Sequence, residues 1–305
     1  MPWIILKFDP QPDQLSRLET LLSNAGAGAV TFEDNADQPL FEPPLGSMPV
    51  WENTRLSAMF EANADIDNIV ALIRSQFGHN MPRHRVEVLE DKDWVREWMD
   101  EFHPIQFGTR LWVCPSWRKP PDDKAVNMLL DPGLAFGTGT HPTTALCLKW
   151  LDSQPLTNRI VVDYGCGSGI LAVAAKLLGA RSVWAVDNDP QALIATKANA
   201  ERNNISAHIQ AVSPQQFEKE FIAKATKADI LLANILAGPL IHLAATLEKS
   251  LKLNGKLVLS GILKEQAENV KNHYQQWFTI DTTVSEDDWV RITGFRTGTE
   301  TGIND

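Results

Sequence analysis

The stretch Ile160–Gly169, IVVDYGCGSG, constrains this chain more than any other. A short run of β-branched residues enters a glycine-rich turn. Ile170–Leu178 follows, with Leu171, Ala174, Ala175 and Leu178 on one helical face. This strand–turn–helix unit then repeats. Ser182–Val186 reads as a strand and Pro190–Asn203 as a helix with proline in its first turn. Ala207–Ala211 is a weaker strand and Ala228–Ala233 a strong one. Pro239–Leu251 reads as a helix, Gly255–Gly261 as a strand and Glu265–Gln276 as a helix. Alternating β and α units predict a mostly parallel sheet with helices on both faces. Thr279–Val284 and Trp289–Arg296, separated only by Ser285–Asp288, should close it as an antiparallel pair.

The 305 residues exceed the usual size of one domain, so a second is expected. Its pattern lies at the front: strands at Trp3–Phe8, Ala29–Glu33, Arg55–Glu61 and Arg85–Leu89, with helices at Pro10–Asn24 and Ile66–Phe77. The order βαββαβ predicts a small ferredoxin-like α+β domain over residues 1–90, which by itself specifies no function. Residues 35–50 read as a loop and 91–104, with Trp94 and Trp98, as a linker. Residues 105–296 form the larger domain, and 297–305 a frayed tail. The strand signals between Ile105 and Leu130 are short and broken by Pro115, Pro120 and Pro121.

Charge is unevenly placed. The net value is −10, and residues 1–102 carry all of it, with 18 Asp/Glu against 8 Lys/Arg. An acidic surface repels nucleic-acid phosphates and attracts basic partners, so the front of the chain is a candidate dock for a basic protein and no direct nucleic-acid contact is expected. Plain solubility would account for the same charge. No run of apolar residues is long enough to span a membrane, and no secretory leader is visible. Cys114, Cys147 and Cys166 are too few and too scattered for a disulfide framework or a closed zinc site. The expectation is a reduced, cytoplasmic, monomeric protein.

Four elements carry chemistry. The glycine turn (Gly165, Gly167, Gly169) lets a ligand approach the backbone and offers N–H groups at a helix start. Its Gly-x-Gly-x-Gly spacing differs from the dinucleotide pattern, and Asp163 just before it suits a cationic ligand better than a pyrophosphate. Asp187, at the end of the next strand, can take both hydroxyls of a ribose, with Asp189 left to cap the following helix. Asn234 follows the apolar strand at the carboxyl edge of the sheet, where ligands of such sheets bind, although a turn Asn satisfying local backbone explains it equally. The loop 131–144, DPGLAFGTGTHPTT, has hydroxyls for polar groups, and Phe136 offers a ring for an adenine or a methyl-bearing sulfur. Thr143 is a candidate cap for the helix Thr144–Leu151, and His141 is either a helper in proton transfer or a loop residue near the cofactor. Cys166 has no convincing base beside it, which argues against a nucleophile.

An acidic strand end, a glycine turn, a ribose-binding acid and no phosphate-binding residue point to S-adenosylmethionine. The glycine turn, Asp187 and the Asn234 segment resemble a seven-stranded, Rossmann-like class I methyltransferase. The strings DPGLAFGTGTHPTT (131–144), DYGCGSGILA (163–172), VDNDPQA (186–192) and NILAGPL (234–240), in that order, resemble the ribosomal protein L-11 methyltransferase family. The resemblance implies an S-adenosylmethionine-dependent enzyme that methylates lysine side chains and the N-terminal α-amine of large-subunit ribosomal protein L-11. It implies an N-terminal domain that grips this substrate, and cofactor positions at Thr144, Gly165, Asp187 and Asn234. Asn234 and the backbone of Ile235 and Leu236 are candidates for orienting the amine. Ile235 and Leu236 stand where other methyltransferases that take planar amides carry prolines. A class I methyltransferase acting on another protein or a small amine is the alternative. A nucleotide-dependent oxidoreductase would need the longer glycine spacing, and a fold without activity would not need Asp187 and Asn234 intact.

Overall fold

The computed structural model describes residues 2–36, 50–89, 102–131 and 140–297. The chain divides into two compact units, Met1–Met99 and Asp100–Asp305. Each has cores of its own: the buried apolar cluster of the first runs from Leu6 to Ile73, and the two of the second lie between Phe107 and Ile292.

The first unit is built from β1 (Trp3–Asp9), α1 (Leu15–Asn24), β2 (Ala29–Asp34), β3 (Thr54–Glu61), α2 (Ile66–Phe77) and β4 (Arg83–Leu89). The strands lie in the order β2-β3-β1-β4, every pair antiparallel, which is the split βαβ sheet of ferredoxin-like folds. Period-two alternation places Leu6, Phe8, Leu56, Ala58 and Phe60 on one face. Leu15, Leu18 and Leu22 of α1 pack there with Ile69 and Ile73 of α2, as helical spacing requires. Asp65 caps α2 by accepting the Asn68 N–H at 3.0 Å. The alternate residues lie on the opposite face of the sheet. At one end they include Lys7, Arg55 and Arg85, ion-paired with Asp9 or Glu87. That end is therefore not the acidic surface the charge count suggests. Eight of the 18 acids counted over residues 1–102 fall in 37–49 and 90–101.

The second unit opens with a three-stranded sheet: β5 (Ile105–Phe107) antiparallel to β6 (Leu111–Cys114), and β7 (Val126–Leu129) parallel to β6. Proline-rich connections keep these strands short. Helix α3 (Pro142–Asp152) is stapled to them by the buried Asp152 carboxylate, which accepts the N–H groups of Thr109 at 2.7 Å and Arg110 at 3.1 Å.

The main sheet has seven strands: β8 (Ile160–Tyr164), β9 (Ser182–Val186), β10 (Ile209–Val212), β11 (Ala228–Asn234), β12 (Leu251–Leu263), β13 (Phe278–Glu286) and β14 (Trp289–Arg296). Their order is β10-β9-β8-β11-β12-β14-β13, parallel through β12, with β14 antiparallel and inserted between β12 and β13. This is the seven-stranded Rossmann-like arrangement the sequence predicts. Side-chain alternation feeds two cores. Val161, Val183, Leu232 and Val258 join α3, α4 (Ile170–Leu177) and α5 (Pro190–Arg202). Val162, Trp184, Leu231 and Leu257 face Phe217 of the short helix α6 (Pro214–Phe217), α7 (Ala237–Ser250) and α8 (Ala267–Tyr274). A chain buried on both faces reads as a continuous apolar run, which is why these strands were legible without alternation.

Several boundaries differ from the sequence reading. β12 is far longer than Gly255–Gly261, and it absorbs an irregularity at Gly261, whose φ is +81°. The last hairpin turns on Asp287 and Asp288 alone, so Ser285 and Glu286 belong to the strand and Glu286 pairs with Lys149 at 2.6 Å. Most of the loop 35–50, the linker from 91 to 101, Phe136 and the tail beyond Thr297 lie outside the described residues.

Candidate active site

The carboxyl ends of β8, β9, β11 and β12 meet at one edge of the main sheet. From β8 the chain enters the glycine turn, where Gly165, Gly167 and Gly169 all have positive φ. Gly165 is required twice over. Its φ is +81°, and a Cβ there would run into Cγ2 of Ile235 on the neighbouring strand's exit. Gly165→Ala therefore combines left-handed backbone strain with overpacking, each about 1–3 kcal/mol. A melting curve should show a loss of roughly 5–15 °C; an unshifted curve would contradict this contact.

The turn is satisfied from within. Gly165 and Cys166 both donate their N–H to the Val186 carbonyl (2.7 and 3.0 Å). Gly167 N–H goes to Asp187 Oδ2 at 2.9 Å, and Gly169 N–H to the Cys166 carbonyl at 2.8 Å. The expectation that the turn offers N–H groups to a ligand is thus corrected: these four are occupied, so the turn is a close-approach surface and not an anion nest. From α5, Thr196 and Asn199 hold its carbonyls, two residues the sequence gave no reason to single out.

Asp187 follows β9 directly and is half-buried. Oδ2 takes Gly167 N–H and Oδ1 takes Asp189 N–H at 3.0 Å. Each carboxylate oxygen keeps a further lone pair, so a pair of hydroxyls can still be accepted. Asp189 is the cap of α5, accepting Gln191 N–H at 2.8 Å, as assigned from sequence.

Asp163 is buried among the strands at 1% exposure. Oδ2 accepts Ala172 N–H at 3.0 Å; Oδ1 has no hydrogen-bond partner among the described residues. Burial pushes its carboxyl up to about 7, and the nearby Asp187 charge adds to the rise. The folded state therefore holds the proton from about pH 4 to 7 while the unfolded chain has lost it. Stability is greatest below the unfolded value of 3.8 and falls as pH rises to 7, by roughly 4 kcal/mol at most. Asp163→Asn, neutral at every pH, should melt several degrees above the parent at pH 8 and close to it at pH 4. A gap independent of pH would refute the buried-charge reading.

Asn234 is the last residue of β11, one position earlier than a residue beyond the strand, and pairs in register with Ser260 of β12. The first turn of α3 lies across both: Asn234 Nδ2 donates to Thr144 Oγ1 at 3.3 Å, and Ser260 Oγ to the Thr143 carbonyl at 3.2 Å. The helix cap is His141, not Thr143. Its Nδ1 accepts Thr143 N–H at 3.3 Å and lies 2.8 Å from Thr143 Oγ1, and the ring meets Trp289 edge-on at 4.9 Å. An Nδ1 that accepts a backbone N–H leaves the proton of the neutral ring on Nε2. In that tautomer His141 presents a donor, not an acceptor, on Nε2. Burial also depresses its basicity.

Ile235 is wedged between two glycines, while Leu236 beside it is exposed. A Cβ at Gly261 would strike the Ile235 carbonyl, just as one at Gly165 would strike its side chain. Cys166 is buried and its thiol is pushed well up by desolvation, which excludes a thiolate nucleophile at neutral pH. The structure thus brings Gly165, Gly167, Asp187, Asn234 and Thr144 to one sheet edge. Among the described residues no His/Cys/Asp/Glu group could hold a metal, and no helix is long and apolar enough to cross a membrane.

Comparison with known proteins gives this edge a lineage. The family described as ribosomal protein L11 methyltransferase (PrmA) matches residues 2–297. The chain belongs to the ribosomal protein L11 methyltransferase family. Proteins of that name from Shewanella baltica strain OS155 and strain OS185 are 53% and 52% identical over 298 residues, covering 97% of this chain and the whole of each relative. A solved ribosomal protein L11 methylase from Lactobacillus delbrueckii subsp. bulgaricus is 32% identical. It aligns with a TM-score of 0.58 over 65% of this chain and all of that one. As a member of the ribosomal protein L11 methyltransferase family the chain is a methyltransferase, and Ser260, Thr196 and Asn199 are the site neighbours that sequence motifs alone did not mark. Each acts through a contact distant in sequence, so no local pattern could have shown it.

Proposed function

We propose that this protein transfers methyl groups from S-adenosylmethionine to amine nitrogens of ribosomal protein L11, on lysine side chains and the N-terminal α-amine. The observation that carries the reading is the convergence, at one sheet edge in a chain of this family, of the glycine turn, the half-buried Asp187 and the Asn234–Thr144 pair. The residues fit the donor. Gly165 keeps the turn free of a side chain, with Ile235 Cγ2 packed where its Cβ would stand. Asp163 Oδ1, buried beneath the turn, has no hydrogen-bond partner among the described residues, and a cation bound nearby would favour the ionised form of this carboxyl. The N–H groups of Gly165, Cys166, Gly167 and Gly169 are engaged within the protein and would not serve a pyrophosphate. Asp187 would take the ribose hydroxyls, Thr144 and Asn234 would border the methionine end, and Phe136, outside the described residues, would flank the adenosyl group. When bound, S-adenosylmethionine supplies a methyl already activated by its sulfonium, so the protein's task is positioning.

The acceptor must arrive as a neutral amine, and a free lysine has a pKa near about 10.4. Desolvation at the sheet edge favours the neutral form. Asn234 donates through Nδ2 to Thr144, which leaves Oδ1 to accept an N–H of the amine and aim its lone pair. Ala237 and Gly238 leave room for a nitrogen that already bears methyls. None of the described side chains at this edge is assigned as a base, and none is required if water takes the proton before transfer. The first unit would grip the substrate. Its acid excess suits a basic ribosomal protein, though the Lys7–Arg55–Arg85 end of its sheet does not, so contact through the other surfaces is favoured. A cytoplasmic monomer fits this role.

Mass spectrometry of ribosomal protein L11 after incubation with enzyme and S-adenosylmethionine should show successive methyl additions on lysine and the N-terminus. Unmodified L11, with another ribosomal protein or a small amine methylated instead, would move the function to that acceptor.

A further inference from the structure

Helix α5 passes beside the glycine turn and ends beside β7, and its polar side chains hold both. Thr196 Oγ1 donates to the Gly167 carbonyl at 3.1 Å, and Asn199 Nδ2 to the Ser168 carbonyl at 2.8 Å. Asn199 is buried, and with its Nδ2 so engaged its Oδ1 must face the other way. There Arg202 Nη1 donates to it at 2.6 Å, while Arg202 Nη2 stands 3.3 Å from Asp131 Oδ2. Asp131 is fixed in turn by the Ser116 N–H at 2.7 Å and the Ser116 hydroxyl at 2.9 Å. Next to Arg202, Asn203 binds both backbone groups of Leu129 at 2.8 Å. Polar contacts therefore run from the glycine turn through Asn199 and Arg202 to Asp131, the first residue of the segment 131–144. The far end of that segment, Thr143 and Thr144, is pinned to Asn234 and Ser260.

We propose that Arg202 is a positioning residue for the methyl-donor site, setting the spacing between the glycine turn and the start of segment 131–144 by bridging Asn199 to Asp131. The proposal rests on the function given above and deepens it. A guanidinium is suited to the task because its planar fork serves an amide oxygen and a carboxylate at once in fixed geometry, which a lysine ammonium cannot do. Arg202 is 34% exposed and touches none of the residues assigned to donor or acceptor. Its removal should therefore leave the fold standing and act on the shape of the site.

The test is a double-mutant cycle on the full chain with Arg202→Met and Asp131→Asn, read by calorimetric titration of S-adenosylmethionine and by steady-state kinetics. Each variant should raise the donor Kd and donor KM about tenfold, with kcat at saturating donor and the KM for L11 unchanged. The double variant should be no worse than the worse single one, because both break the same bridge. Arg202→Lys should recover only part of the loss. Asp131→Asn approaches the contact from the other side, which guards against a folding defect peculiar to one variant. An unchanged donor Kd in folded Arg202→Met, additive effects in the double variant, or a fall in melting temperature with no split between donor and L11 KM would each overturn the positioning role. Those outcomes spare the proposed function if the parent binds the donor. A parent that does not bind S-adenosylmethionine would overturn both.

Discussion

Asp187→Ala should weaken S-adenosylmethionine binding by about two to four powers of ten, the largest single-residue effect expected in this protein. The carboxylate is assigned two ribose hydroxyls, and hydrogen bonds to a charged group contribute about 1.5–3 kcal/mol each. Its present partners, the N–H groups of Gly167 and Asp189, limit the damage to the fold. Losing an acceptor for both costs on the order of 1–2 kcal/mol, a melting shift of a few degrees. Asp187→Asn keeps one acceptor oxygen and should fall between parent and alanine. Calorimetry on a folded variant checks this directly. Donor affinity equal to the parent's would mean that the ribose is held elsewhere, and the whole assignment of the sheet edge would have to be redrawn.

The second large effect concerns a whole unit. A chain beginning at Asp100 should bind S-adenosylmethionine as the parent does and methylate L11 at least about a hundredfold more slowly in kcat/KM. Two observations support the split. The buried clusters of the two units share no residue, so removal of residues 1–99 leaves the second unit's cores complete. Every described residue assigned to the donor lies in the second unit. Binding energy from parts of a substrate remote from the reacting atom is what positions that atom, so loss of the gripping unit should lower the rate on L11 while leaving donor affinity alone. Full activity on L11 after truncation would remove the first unit from substrate recognition. Loss of donor binding together with activity would mean instead that the first unit supports the donor site.

Much of this was legible in the chain because the signals are local. IVVDYGCGSG is strand, turn and helix within one stretch, and its apolar run already implies burial on both faces. Asp189 is a cap because proline follows it. Ile66–Phe77 ends where Gly78 supplies a left-handed residue. Errors arose where a tertiary contact outweighed local chemistry. Thr143 looks like a helix cap, yet His141 takes that place because Thr143 is drawn down by Ser260 and covered, at 4% exposure. The glycine turn looks open to anions, yet Val186 at the end of the next strand and Asp187 just after it occupy the N–H groups of Gly165, Cys166 and Gly167.

The amino-acid sequence by itself determined which segments are strands and helices, that they alternate in one unit and follow βαββαβ in the other, and where the charged and glycine-rich positions fall. Those properties depend on residues within a turn or two of one another, and periodicity records them. Only the tertiary structure decided that Asp163 is sealed from water, that Asn234 meets Thr144 across 90 residues, and that Arg202 links the glycine turn to Asp131. Desolvation and long-range hydrogen bonds depend on which strand ends come together, and strand order is set by the packing of two cores, a property no single segment carries.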